Sequence, residues 1–166
     1  MKTFFLDASA LAKRYSLETG AACVDYLFDN VTLDRLVCLM LGAAEVASVL
    51  VRRRNSGRLS KTAFIQGMTN LKTEVVDSDD FNTLPVDNDL IIAAMPFIEK
   101  HSVNATDAVI LRLALDLAAQ MRTDGNDLVL VASDQRLLRA AQAEGLLTFD
   151  PEHQTEVELR RLIGVP

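Results

Sequence analysis

The stretch Asp127-Leu128-Val129-Leu130-Val131-Ala132-Ser133-Asp134 decides the fold. Leu128 to Ala132 is apolar without alternation, rich in Val, and only five residues long. That pattern reads as a strand buried on both faces, the signature of a parallel sheet covered by helices. The flanks supply the crossovers that parallel strands need. Before it, Ala105 to Arg122 is a strong amphipathic helix. After it, Ser133 is placed to N-cap a helix over Asp134–Glu144, which stops at Gly145. A short strand at Leu147–Phe149 and a helix or tail at Thr155–Ile163 complete the C-terminal part.

Working back to the N-terminus, Thr3-Phe4-Phe5-Leu6 is a second short buried strand, ending abruptly at Asp7. Ala8–Tyr15 and Glu18–Phe28 are helix-prone. Val31–Met40 contains another strand, centred on Val37–Leu39. Gly42–Arg54 carries Ala, Val and Leu at helical spacing and stops at Asn55-Ser56-Gly57. Ser60 then caps a helix to about Val75 with the apolar stripe Phe64, Met68, Leu71 and Val75. The two helices form an antiparallel hairpin. Asp77–Asn88 is a loop with a short strand around Thr83 and Leu84, and Asp89–His101 is helical, with Pro96 predicting a kink or break. The alternation of strands and helices predicts an α/β fold: one domain, with a small central parallel sheet flanked by helices on both faces and a protruding helical hairpin.

The totals agree with one ordinary globular domain: 166 residues, 49% hydrophobic and 24% charged. No apolar run approaches the ~18 residues of a membrane span. The early charges Asp7, Lys13 and Arg14 do not suit an export signal, so the expectation is a cytoplasmic protein with no membrane association. Cys23 and Cys38 sit in apolar surroundings without zinc-site spacing and read as buried thiols. His101 and His153 are isolated. The net charge of −6 argues against a general nucleic-acid coat. It does not exclude a nuclease whose acids are gathered in one pocket. Asp77-Ser78-Asp79-Asp80 has Asn82 and Asn88 where a calcium loop needs Gly and Glu, and is a plain acidic turn.

Four acids stand apart from the rest. Asp7 follows the first strand directly, and Asp134 follows Leu128–Ala132 with one residue between. Ligands of open α/β sheets gather beyond the carboxyl ends of the strands. Glu45 and Asp107 lie inside apolar helical stretches, where a carboxylate is costly unless compensated. Converging carboxylates would repel one another and raise their pKa values, and a divalent cation removes that conflict. Oxygen-only donors favour Mg²⁺ or Mn²⁺. From spacing alone, a second account serves equally well: loop acids, helix caps and a surface Glu.

Phe5-Leu6-Asp7-Ala8-Ser9-Ala10-Leu11, Ala44-Glu45-Val46-Ala47-Ser48-Val49-Leu50, Thr106-Asp107-Ala108-Val109-Ile110 and Ala132-Ser133-Asp134-Gln135-Arg136-Leu137 occur in the order of the acidic motifs of PIN-domain nucleases. The chain resembles that family, in particular its toxin members of the VapC type, over roughly residues 3–151. It departs from many relatives in having Leu39-Met40-Leu41-Gly42 before the second acid and Ala132 before the fourth. The resemblance implies a PIN-like nuclease unit over residues 1–152, with 153–166 as its C-terminal helix or tail. It implies a metal-dependent ribonuclease whose Asp7, Glu45, Asp107 and Asp134 bind one or two Mg²⁺ or Mn²⁺ ions, with Ser9, Ser133 and Asn104 in support. It also implies an RNA substrate, a cognate antitoxin covering the helical hairpin, and a homodimer.

Lys13, Arg14, Arg52 and Arg53 follow the first two acids at helical distances and are candidate contacts to RNA phosphates. Cations near helix C-termini are equally expected from the macrodipole. The Phe64–Val75 stripe is either a partner groove or core packing. Two further functions remain open: an RNA-processing nuclease without an antitoxin, and a PIN fold that only binds.

Overall fold

The structure, a computed structural model, describes residues 1–164. Its centre is a sheet of five parallel strands: β1 (Lys2–Leu6), β2 (Leu36–Leu39), β3 (Asn82–Leu84), β4 (Asp127–Val131) and β5 (Leu147–Phe149), in the order β3-β2-β1-β4-β5. Period-two alternation divides the strand residues between two cores. Phe4, Leu6, Cys38, Val129 and Val131 face one; Phe5, Val37, Leu39, Leu128 and Leu130 face the other. Both faces of the three inner strands are dry, which is why Phe4–Leu6, Leu36–Leu39 and Leu128–Val131 are unbroken apolar runs, whereas the edge strands β3 and β5 carry Asn82, Thr83 and Thr148. The first core is closed by α1 (Ala8–Leu11), α2 (Lys13–Ser16), α3 (Ala21–Asn30), α4 (Met40–Asn55), α5 (Lys61–Leu71) and α9 (Glu156–Ile163). The second is closed by α6 (Asn88–His101), α7 (Ala105–Thr123) and α8 (Gln135–Ala143).

β1 is the central strand, and its pairing with β4 fixes the site. The register runs from Lys2 opposite Asp127 to Leu6 opposite Val131, so the two strands end level. The chain leaves β1 toward β2 on one side and returns to β4 on the other. The crevice between their carboxyl ends is therefore a topological switch point, where ligands of such sheets bind.

Several elements differ from the sequence reading. The helix expected over Ala8–Tyr15 is divided at Ala12. The helix expected from Glu18 starts at Ala21, because Gly20 takes φ +89° and lies against Pro151, where a Cβ would come within 2.7 Å of the carbonyl oxygen. Pro96 does not break its helix: α6 runs through it. Pro96 and Ile92, whose carbonyl loses its helical donor, are both exposed, so water can serve that carbonyl. Ser133 does not cap α8. Asp134 does, because the N–H groups of both residues are held by Ser9 and the turn comes one residue later.

The Phe64–Val75 stripe is largely core. Leu71 and Val75 are buried, the latter carried inward by a π turn at Lys72–Val76, and Phe64 and Met68 pack against the same cluster. Gly67 lets α5 approach α2, since a Cβ there would lie 2.9 Å from the Tyr15 carbonyl oxygen. Both cysteines are free thiols, Cys38 buried and Cys23 half-buried.

Candidate active site

The level ends of β1 and β4 deliver two carboxylates side by side, and each is fixed by capping the helix that follows. Asp7 caps α1, accepting at Oδ2 both the N–H of Ser9 (2.9 Å) and the Ser9 hydroxyl. Asp134 caps α8, accepting at Oδ1 the N–H groups of Arg136 (2.7 Å) and Leu137 (3.2 Å). Ser9 ties the two ends together. Its hydroxyl donates to Asp7, while its oxygen accepts the N–H groups of Ser133 (2.9 Å) and Asp134 (3.3 Å). Asp107 sits in the first turn of α7, where its N–H is held by the capping side chain of Asn104 at 2.8 Å. Glu45 comes from α4. Asp7, Glu45, Asp107 and Asp134, with Ala8, Ser9, Ser48, Val49 and Arg52, line a single open cavity of about 330 Å³.

The electrostatics of this cavity are those of crowded acids. Burial raises the pKa of Asp7, and the Asp134 charge adds to the rise against the bonds from Ser9 and the Ala8 backbone. Glu45 is raised by burial and by Asp7, with Thr106 and Arg52 opposing. Asp107 is pushed up to about 6, by burial first and then by Asp7 and Asp134. Such mutual perturbation in a cleft is what a functional site looks like.

An all-oxygen donor set with unresolved repulsion fits a hard divalent cation. Among the described residues, no three acidic, His or Cys side chains close into a ready-made cage. Mg²⁺ does not require one, because it keeps several waters and takes one or two carboxylates directly. The residues present therefore fit Mg²⁺ or Mn²⁺.

The sequence model of the PIN domain family matches residues 4–143, which includes all four acids. The chain belongs to the PIN-domain family. PIN domains are in general nucleases. Among solved structures, PAE2754 from Pyrobaculum aerophilum is similar, with TM-score 0.60 and 23% identity over 98% of this chain and 96% of that one. VapC20 of Mycobacterium tuberculosis, a toxin that cleaves the sarcin–ricin loop, is similar with TM-score 0.61 and 16% identity, over 92% of this chain and 100% of that one. Both likenesses show the shared fold. A search of curated protein sequences gives no significant match.

In this PIN domain, other residues singled out from sequence take different places. Asn104 and Ser133 stand beside the cavity rather than in its lining. Asn104 is the α7 cap, and the Ser133 hydroxyl is buried without a hydrogen-bond partner. Lys13 cannot reach RNA: it is 2% exposed and ion-paired with Glu152. Arg14 is engaged too, by Asp25 at 2.8 Å and Glu74 at 3.3 Å, with its guanidinium 4.8 Å from the centre of the Phe28 ring. Arg53 pairs with Glu18. For Lys13 the expected phosphate contact is corrected by its burial; Arg14 and Arg53 already have acidic partners, which a sequence does not display. Conversely, Ser48, Val49 and Thr106 were not singled out. Their signal was their position: Ser48 and Val49 share the helical face of Glu45, and Thr106 precedes Asp107.

Proposed function

We propose that this PIN domain is a Mg²⁺- or Mn²⁺-dependent endoribonuclease and the toxin of a toxin–antitoxin pair. The observation that carries the reading is the convergence of Asp7, Glu45, Asp107 and Asp134, from four separate elements, on one solvent-open cavity at the switch point of the sheet. A divalent cation held by these carboxylates would supply activation of water and stabilisation of charge on the phosphodiester. Asp7 and Asp134 hold their places through their caps, and Ser9 keeps their spacing. Asp107, whose pKa is pushed up to about 6, would give up its proton to serve as a ligand. Water adds to phosphorus and the bond to O3′ breaks, leaving a 5′-phosphate and a 3′-hydroxyl.

Two apolar surfaces support the proposed partners. A groove of about 560 Å³ between α4 and α5, lined by Met40, Ala43, Ala47, Met68 and Leu71 among others, suits an amphipathic antitoxin segment. Ile91, Ile92, Met95 and Ile98 of α6, exposed beside Leu41, suit a second copy of the chain. No described helix is long and apolar enough to cross a membrane. The reading places the protein in the cytoplasm, with its RNA.

Induced expression in a bacterial host, with mapping of new RNA 5′ ends, tests the reading. The expected result is growth arrest with 5′-phosphorylated fragments from the wild type and neither from Asp7→Asn. Normal growth with new fragments would favour an RNA-processing nuclease. Arrest that persists in Asp7→Asn would remove the site.

A further inference from the structure

The run Arg52-Arg53-Arg54 looks like one basic patch in the sequence, but the fold separates it into three different environments. Arg53 turns to Glu18 and ties α4 to the loop before α3. Arg54 lies over the Phe64 ring, 4.4 Å from its centre, and bonds Asn55 at 3.1 Å. Arg52 is exposed and, among the described residues, its side chain has neither a hydrogen bond nor an ion pair. It is also the one cation among the residues lining the acidic cavity.

We propose that Arg52 binds the RNA phosphate that flanks the scissile one. The inference rests on the ribonuclease reading and adds to it the residue that holds the strand in place. Glu45, Ser48, Val49 and Arg52 follow the i, i+3, i+4, i+7 pattern and form the face of α4 that lines the cavity. Two helical turns separate Glu45 from Arg52, about 10 Å along the axis. An exposed cation that lines the cavity this far along α4 from Glu45 is placed to meet a phosphate next to the scissile one. A chain of net charge −6 with four acids in its cleft repels a polyanion, and a cation at the rim offsets that repulsion where it matters. Arg presents a planar fork suited to phosphate. Arg52 feels Glu45 only at longer range and makes no direct ion pair among the described residues, so binding does not require breaking one.

The test is binding and cleavage of a fluorescein-labelled 12-nucleotide single-stranded RNA by wild type, Arg52→Gln and Arg52→Lys. Binding is read by anisotropy in Ca²⁺ across a salt series, and cleavage in Mn²⁺. Arg52→Gln should lower kcat/KM about tenfold, mainly through KM, as expected for loss of one charge-assisted bond. It should also flatten the slope of log Kd against log salt by about 0.7, the share of one phosphate contact on a single strand. Arg52→Lys should recover the salt slope and part of the affinity. If wild type cleaves but Arg52→Gln keeps the wild-type slope and KM, Arg52 has no role in binding and the ribonuclease reading stands. If wild type neither binds nor cleaves the RNA, that reading fails and takes the Arg52 proposal with it.

Discussion

Replacing Asp107 by Asn should make the metal-free protein more stable at alkaline pH. Asp107 is buried in the first turn of α7, and Asp7, Asp134 and Glu45 all act to keep its proton on. Its folded pKa, about 6, lies above the 3.8 of an ordinary aspartate. The stability linked to its protonation is therefore fully present below pH 3.8 and is lost as pH rises through about 6. At one pKa unit per 1.36 kcal/mol, the full cost of ionising it at pH 8 is about 3 kcal/mol. The cavity is open, so solvent screening reduces this to about 1–2 kcal/mol. An Asn amide fills the same volume, can donate to the neighbouring carboxylates, and leaves the Asn104 cap untouched because that bond uses the Asp107 backbone. In EDTA at pH 8 the variant should melt about 2–8 °C above wild type. At pH 4 the difference should nearly vanish. Saturating Mn²⁺, at about 100 times its Kd, should add about 2.7 kcal/mol to wild type and clearly less to the variant, reversing their order. Differential scanning calorimetry at the two pH values decides it. An Asp107→Asn protein no more stable than wild type in EDTA at pH 8 would mean that the four acids do not strain one another.

Other substitutions probe the frame around the site. Ser9→Ala removes the hydroxyl that serves Asp7 and the N–H groups of Ser133 and Asp134. It should cost about 1–3 kcal/mol in chemical denaturation and weaken Mn²⁺ binding, with Ser9→Thr recovering most of both. Gly67→Ala should lower the melting temperature although Ala favours helix, because its Cβ would meet the Tyr15 carbonyl oxygen at 2.9 Å; an unchanged melting temperature would show that α5 can move away. Lys13→Met should destabilise by leaving Glu152 without its partner, by about 1–2 kcal/mol since Glu152 is 35% exposed. The Lys13→Met, Glu152→Gln double variant should recover part of that loss in urea unfolding.

The sheet was legible because its inner strands are buried on both faces. Leu128–Val131 and Phe4–Leu6 have no polar alternation to confuse them with surface strands, and the acids that end them mark the carboxyl edge. Glu45 and Asp107 were legible because each breaks an apolar helical stretch where a charge is expensive. The electrostatic fates of Lys13, Arg14 and Arg53 were not legible. Their partners Glu152, Glu74 and Glu18 come from other elements, and burial such as that of Lys13 is set by tertiary packing. The role of Ser9 was visible only in part. Its nearness to Asp7 is local, but its bonds to Ser133 and Asp134 span more than 120 residues and depend on β1 pairing with β4. The same pairing displaced the α8 cap from Ser133 to Asp134.

The most direct test of the account is cleavage of labelled RNA in vitro by the purified protein, with Mn²⁺ or EDTA, comparing wild type with Asp7→Asn and Glu45→Gln. Cleavage by wild type in Mn²⁺ alone, yielding 5′-phosphorylated fragments, with both variants at least 100-fold slower, is the predicted result. Equal cleavage in EDTA, or full activity in either variant, would contradict it.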